Sequence, residues 1–109
     1  MVANFSNVVP DNYKELIVNR VIDRLKDPYS IRSASISKPT TGFVGLLNGG
    51  TRPIVCIKYN AKNSFGAYIG INEAVFFFKD GRIEGGLLGH MYACANAVYG
   101  PFPELENIR

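Results

Sequence analysis

A chain of 109 residues, with 47% hydrophobic and 19% charged residues, is long enough for one two-layer core and too short for two. This composition excludes a disordered or fibrous chain, and no apolar run approaches the roughly 20 residues of a membrane-spanning helix. The net charge of +3 is small, so the placement of the charges is more informative than their sum. We predict one domain over residues 1–109, which begins with a flexible segment over residues 1–9.

The first predicted element is an amphipathic helix from Pro10 to Lys26. Its apolar row runs through Tyr13, Ile17 and Val21 at intervals of four residues, which is the spacing of one helix face. The prolyl bond that follows, Asp27-Pro28, ends the helix because the residue before a proline avoids the helical region.

The segment after the helix, residues 29–50, has weaker signals for secondary structure. Tyr29–Ser37 is rich in serine and suits a weak or edge strand. Residues 39–42 predict a turn, Phe43–Leu47 a short apolar strand, and residues 48–50 a second turn. Together they suggest a hairpin arm or a mobile loop.

The strongest strand signals follow. Ile54–Ala61 alternates in the manner of a central strand, with Cys56 facing away from the main aliphatic row. The apolar run Ala74–Phe78 suits a strand buried on both faces. Asp80-Gly81 is a two-residue hairpin signal, and Arg82–Leu88 predicts the returning strand.

The C-terminal part predicts a short helix over Gly89–Tyr99, with Cys94 on its buried side, and then an extended tail over Pro101–Leu105. Phe102 and Leu105 are the expected anchors of that tail. The predicted fold class is therefore α+β. An N-terminal helix packs on a three- to five-stranded, mainly antiparallel sheet, and a short C-terminal helix or extended tail closes it.

Cys56 and Cys94 are the two cysteines, and they are compatible with a disulfide or with two unrelated buried thiols. A cysteine enzyme using Cys94 with His90, the single histidine, is a minority hypothesis because no local signature of such an enzyme surrounds either thiol. A structural zinc site needs four ligands, so we expect neither a metal nor another cofactor.

Basic residues are concentrated in the middle of the chain. From Pro28 to Asn72 no acidic residue occurs, and the five basic ones are Arg32, Lys38, Arg52, Lys58 and Lys62. This pattern predicts a positive sheet face for an anionic partner such as a lipid headgroup or a glycan, or else charges that merely keep a sheet surface in water. A nucleic-acid site would also need stacked aromatics, and those present equally suit the core, so we expect no nucleic-acid partner.

Exposed apolar residues predict a second kind of contact. If the arm over Phe43–Leu47 is exposed, its apolar side chains are costly to leave in water. The candidate contact residues for a homo-oligomer or a protein partner are Phe43, Val44, Leu46 and Leu47.

Three segments carry a family resemblance: LKDPYS at Leu25–Ser30, VC at Val55-Cys56, and NAKNSFGAYIG at Asn60–Gly70. In these segments the chain resembles a group of small uncharacterised exported proteins and lipoproteins of Gram-negative bacteria, especially alphaproteobacteria. It departs from that group at Ala67, where a second glycine is usual, and in a long insertion over Thr40–Pro53.

The resemblance implies a periplasmic or secreted location, with Cys56 bonded to Cys94, and it implies no activity. The first residues lack the features of a signal peptide, so either the protein stays in the cytoplasm or a start Met replaces a removed leader. We expect a non-enzymatic exported protein that binds an envelope component or a host protein. A homo-oligomerising module is the alternative.

Overall fold

The computed structural model describes residues 8–88 and 92–108 of the chain. The first helix, α1, spans Tyr13–Arg24 and is slightly shorter than predicted at both ends. It ends where Leu25 turns extended, two residues before Asp27-Pro28, as the proline requires. Most of the predicted flexible segment, residues 1–7, lies outside the described residues, whereas Val9 packs against the core.

Within the described residues, six strands form one sheet, and every pairing is antiparallel. The strands are β1 Arg32–Ser37, β2 Thr40–Phe43, β3 Thr51–Asn60, β4 Asn72–Lys79, β5 Arg82–Leu88 and β6 Tyr99–Pro101. Their order is β5-β4-β3-β1-β6, and β2 pairs with the end of β3 that β1 leaves free. The predicted α+β class is confirmed, with one strand more than the predicted range.

The hairpin signals are partly confirmed. Asp80 and Gly81 both have positive φ, at 54° and 79°, and join β4 to β5 as a two-residue turn of the expected kind. The turn predicted over residues 39–42 is wrong, because β2 begins at Thr40. Gly42 serves packing there: a Cβ at this position would lie 2.6 Å from the Ile54 side chain.

The two neighbouring strand predictions have different outcomes. The apolar strand predicted over Phe43–Leu47 is wrong, because Phe43 ends β2 and a 3₁₀ turn follows at Leu46–Asn48. The strand predicted over Tyr29–Ser37 is confirmed over Arg32–Ser37 as β1, but it does not lie at the edge of the sheet, because β3 and β6 flank it. Its beginning is preceded by another 3₁₀ turn, Pro28–Ser30, whose proline occupies the first position.

The C-terminal prediction is wrong in its elements. Of the helix predicted over Gly89–Tyr99, residues 89–91 lie outside the described residues, Tyr92–Cys94 form a single 3₁₀ turn, and β6 begins at Tyr99. Pairing with β1 overrides the local helical spacing. The tail is not fully extended either, because Pro103–Glu106 form a short helix, α2. Phe102 and Leu105 are both fully buried, as expected of anchors.

The sheet separates two apolar clusters. On the face covered by α1 and α2, which we call the helix face, the buried side chains include Ile17, Val55, Ile57, Phe76, Phe78 and Phe102. On the other face, which we call the disulfide face, they are Val44, Ile54, Cys56, Val75, Phe77 and Cys94. The alternation of β3 and β4 between the clusters explains why both strands read as continuous apolar runs.

Candidate functional site

A disulfide joins Cys56 of β3 to Cys94, with the two Cα atoms 6.0 Å apart. Both residues are buried, and the bond ties the 3₁₀ turn at Tyr92–Cys94 onto the disulfide face. The minority hypothesis of a cysteine nucleophile has no thiolate in this state, because each sulfur is bonded to the other. His90, its proposed base, lies outside the described residues.

The segment between β3 and β4, residues 61–71, is ordered by its own polar side chains, and we call it the tip loop. The Asn63 side-chain oxygen accepts the backbone N–H groups of Phe65 at 2.9 Å and Ala67 at 3.2 Å. Gly66 supplies a φ of 79°, which a residue with a Cβ adopts only at a cost. Asn63 therefore closes the turn.

The aromatic ring of Tyr68, on the tip loop, lies close to two of the predicted basic residues. The Arg32 guanidinium lies 3.6 Å from the centroid of the Tyr68 ring, and the Lys62 ammonium lies 5.7 Å from it. Both positions suit attraction between a cation and the negative face of an aromatic ring. We call Arg32, Lys62 and Tyr68 the basic tip cluster.

The basic tip cluster is held by the 3₁₀ turn that precedes β1. The Tyr68 hydroxyl donates to the backbone oxygen of Ser30 at 2.6 Å. The Ser30 hydroxyl in turn accepts the backbone N–H of Lys62 at 2.8 Å and donates to the backbone oxygen of Asp27 at 2.7 Å. The ring is thus positioned before any partner arrives.

Four large apolar side chains on or next to the segments that carry this cluster are exposed to water. Phe65 is 92% exposed and Ile69 is 66% exposed, and both lie on the tip loop. Ile71 and Tyr29 are also exposed, the latter beside Ser30. Single exposed apolar residues are common, but four around one loop, next to two cations, indicate a contact surface.

Lys58 belongs to a different group on the disulfide face. Its ammonium lies 4.4 Å from the centroid of the Tyr99 ring, and the Tyr99 hydroxyl donates to the Glu73 carboxylate at 3.0 Å. Burial, followed by the hydrogen bond to Glu73 and the charge of that carboxylate, raises the pKa of Tyr99 above its ordinary value of 10.0. Lys58 and Glu73 also face each other across β3 and β4, so the lysine charge is partly balanced.

The remaining two basic residues stand apart from the tip. Arg52 forms an ion pair with Glu84 and donates to the backbone oxygen of Phe78 at 2.7 Å, and its side chain is only 12% exposed. Lys38 is exposed just after β1. The structure therefore brings Arg32 and Lys62 together, places Lys58 beside Tyr99, and leaves Arg52 neutralised at the far end of β3.

Of the four candidate contact residues of the arm, three are exposed and one is buried. Phe43, Leu46 and Leu47 are exposed, and Leu47 is fully so. Val44 is buried in the cluster on the disulfide face and is not available to a partner. An apolar patch at the end of the sheet opposite the tip loop thus consists of three side chains.

A groove that the sequence analysis did not foresee lies between the C-terminal half of α1 and strands β3, β4 and β5, with a volume of about 530 Å³. We call it the α1 groove. Its lining includes Arg20 and Arg24 of α1 as well as Gly85 and Gly86 of β5. In the sequence, the feature that could have pointed to this groove was the pair Gly85-Gly86, but such a pair by itself indicates only a flexible strand end.

Across residues 8–88 and 92–108, no helix is long and apolar enough to cross a membrane, and no group of His, Cys, Asp or Glu side chains is arranged to hold a metal. Scans of the chain against protein-family models, curated proteins and solved structures found no match. The fold and the site define a small α+β domain with one disulfide and a structured basic tip.

Proposed function

We propose that the chain is a non-enzymatic binding module of the bacterial periplasm or cell exterior, which attaches to an anionic lipid surface through the tip loop. The disulfide supports the compartment, because such bonds persist where the surroundings are oxidising. The resemblance of the LKDPYS and NAKNSFGAYIG segments to exported bacterial proteins supports the same location.

The observation that carries this proposal is the combination of cations and exposed apolar side chains at one ordered loop. Arg32 and Lys62 lie close to the Tyr68 ring, and Phe65 and Ile69 of the same loop are exposed. A basic residue near an anionic leaflet contributes roughly 1 kcal/mol. An aromatic or aliphatic side chain that enters the interface adds about 25 cal/mol for each Å² of apolar surface removed from water.

Acidic residues near the tip moderate its charge. Glu106 accepts the backbone N–H of Ala34 at 2.9 Å, Glu73 accepts the Tyr99 hydroxyl, and Asp27 precedes the 3₁₀ turn that holds Tyr68. The net positive field at the tip is therefore modest. We expect attachment that weakens with salt but that also needs the apolar side chains.

The test is co-sedimentation with vesicles of phosphatidylcholine alone or mixed with phosphatidylglycerol. We expect binding to the mixed vesicles, with a loss of about thirtyfold in the Arg32→Gln, Lys62→Gln double variant, since each cation contributes roughly 1 kcal/mol. The matched control is Lys79→Gln with Arg82→Gln, which removes two exposed charges at the opposite end of the sheet.

Two outcomes would overturn the proposal. One is equal binding to neutral and anionic vesicles, or no binding to either. The other is an equal loss in the tip variant and in the control, which would show that net charge alone decides attachment. Phe65→Ser is expected to weaken binding without changing its salt dependence, since the variant keeps every charge.

A homo-oligomer is the second candidate function. Among the described residues β2 pairs only with β3, and the exposed Leu46 and Leu47 follow it directly. A second copy could pair its own β2 with this strand. Sedimentation over a hundredfold range of concentration should then show a dimer that Leu46→Ser with Leu47→Ser abolishes, and a monomer throughout would remove this alternative.

A further inference from the structure

A second groove, with a volume of about 500 Å³, lies on the disulfide face beside the segment that follows Cys94. We call it the polar groove. Its lining includes Lys58, Glu73, Tyr92, Ala95, Ala97 and Tyr99. Each of these six residues keeps part of its surface in water, in contrast to the apolar lining of the α1 groove, which belongs to the closed core. A ligand can therefore reach the polar groove while the core stays packed.

Two opposite charges in the polar groove are held apart rather than paired. Lys58 and Glu73 face each other across β3 and β4, yet the two salt bridges of residues 8–88 and 92–108 lie elsewhere. The Lys58 ammonium lies over the Tyr99 ring instead, and one oxygen of Glu73 accepts the Tyr99 hydroxyl. Within the described part of the chain, the ammonium N–H groups and the second carboxylate oxygen therefore keep their capacity for hydrogen bonds.

The ring of Tyr92 stands at the same groove and is 97% exposed. The 3₁₀ turn that carries it is fastened to β3 by the Cys56–Cys94 bond, and the Ala95 N–H donates to the Tyr92 backbone oxygen at 3.1 Å. The backbone that carries the ring is thus fixed in advance, which lowers the entropic cost of binding. Ala95 has a short side chain, so it leaves space beside the ring.

These features favour a sugar over a charged ligand. An anion that Lys58 attracts is repelled by Glu73, and a cation meets the reverse. A zwitterion satisfies both charges, but ion pairs in contact with water contribute little, and a small zwitterion makes no use of the Tyr92 ring. A hydroxyl group both donates and accepts, so two neighbouring hydroxyls can accept from the ammonium and donate to the carboxylate. The C–H face of a pyranose ring suits an exposed aromatic ring.

We propose that the polar groove binds the pyranose ring of a neutral saccharide. Neighbouring hydroxyls of the sugar bind Lys58 and Glu73, and its C–H face packs on Tyr92. The site goes beyond the attachment proposed for the tip loop, because neither Arg32 nor Lys62 lines the polar groove.

The test is a titration of the intact isotope-labelled chain with the methyl glycosides of glucose, galactose and N-acetylglucosamine, followed by amide chemical shifts. At least one glycoside should shift the amides of Lys58, Glu73 and Ala97, with a Kd on the order of 10 mM or lower. Cyclohexanol, a ring of similar size with one hydroxyl, should bind at least tenfold more weakly, because it loses hydrogen bonds to charged groups.

Two variants test the proposed contacts. Tyr92→Ala should weaken binding of that glycoside about fivefold, since roughly 40 Å² of ring surface returns to water. Lys58→Met should weaken it at least tenfold, because the methionine keeps most of the stem and loses the donor. The matched controls are Tyr29→Ala and Lys79→Met, which remove an exposed tyrosine and an exposed lysine that do not line the groove, and they should leave the affinity unchanged.

Three results would overturn the proposal. They are the absence of shifts at the groove amides with all three glycosides, an equal loss in the variants and their controls, and tighter binding of glycine than of any glycoside. The last result would identify a site for zwitterions. The amide spectrum of each variant also establishes that its fold is intact.

A free saccharide and a neutral glycolipid both present such a ring. Sedimentation with phosphatidylcholine vesicles that carry a glucosyl lipid, lost in Tyr92→Ala, would support the membrane source, and binding of the soluble glycoside alone would support the free one. The two proposals fail independently. The Arg32→Gln, Lys62→Gln variant should keep its affinity for the glycoside, and Tyr92→Ala should sediment with anionic vesicles as the unmodified chain does.

Discussion

Reduction of the Cys56–Cys94 bond should lower the free energy of unfolding by about 4 kcal/mol. The bond closes a loop of 38 residues. In the chain-entropy relation, a loop of this length restricts the unfolded chain by roughly 13 cal/mol/K, or about 3.9 kcal/mol at 25 °C. For 109 residues with about 2.1 cal/mol/K of unfolding entropy each, the same loss corresponds to a fall of roughly 17 °C in Tm.

The assay is urea unfolding followed by far-ultraviolet circular dichroism, with the oxidised and reduced chains measured side by side. Because both cysteines are buried, reductant alone should act slowly, and a low concentration of urea should accelerate it by opening the disulfide face. Cys56→Ala with Cys94→Ala should lose the same entropic contribution and about 1 kcal/mol more, since each alanine also removes a packed sulfur.

A difference below 1 kcal/mol between the oxidised and reduced chains would refute this reasoning. It would mean that the unfolded chain keeps the two cysteines close without the bond, or that the bonded native state is strained. A reduced chain that is unfolded in the absence of urea would instead place the total stability near the value of the bond itself.

Other local features yield further predictions. Ser37→Ala should cost about 1–3 kcal/mol in urea unfolding, because the buried hydroxyl accepts a backbone N–H of β3 at 2.8 Å that would lose its partner. Gly81→Ala should cost about 1 kcal/mol because φ is 79°, whereas Gly100→Ala, with open space at its Cβ, should be nearly neutral. Burial raises the pKa of both Tyr59 and Tyr99. Above pH 10 the unfolded chain therefore loses these protons before the folded chain does, and the free energy of unfolding falls as pH rises. A spectrophotometric titration in which both tyrosines ionise at their ordinary pKa while the chain stays folded would contradict this.

The elements that the sequence predicted well are those encoded by nearby residues. α1 follows from a four-residue repeat, and the β4–β5 turn follows from Asp80-Gly81. The orientation of Cys56 follows from alternation along β3. The elements that it missed depend on partners far along the chain: β2 requires Gly42 to fit against Ile54, and β6 requires β1.

The candidate functional site, like the fold, was predictable from the sequence only in part. The concentration of basic residues between Pro28 and Asn72 was visible in the sequence, but their grouping was not. Arg52 is neutralised by a residue 32 positions away, and Arg32 and Lys62 both lie close to the ring of Tyr68, which is distant from Arg32 in the sequence. The α1 groove is lined by residues of one helix and three strands that lie far apart in the chain, and no local pattern encodes such a combination.

The length of β3 determines how far apart the charges at its two ends lie. Its ten residues, at about 3.3 Å each, separate Arg52 from the tip loop by roughly 30 Å. The screening length at physiological salt is about 8 Å, so charges at the two ends of this strand act almost independently. The Arg52–Glu84 pair therefore neither weakens nor supports the field at Arg32 and Lys62. For the same reason a loss of vesicle binding confined to the tip variant reports a local contact, whereas the Lys79→Gln, Arg82→Gln control reports only the change in net charge.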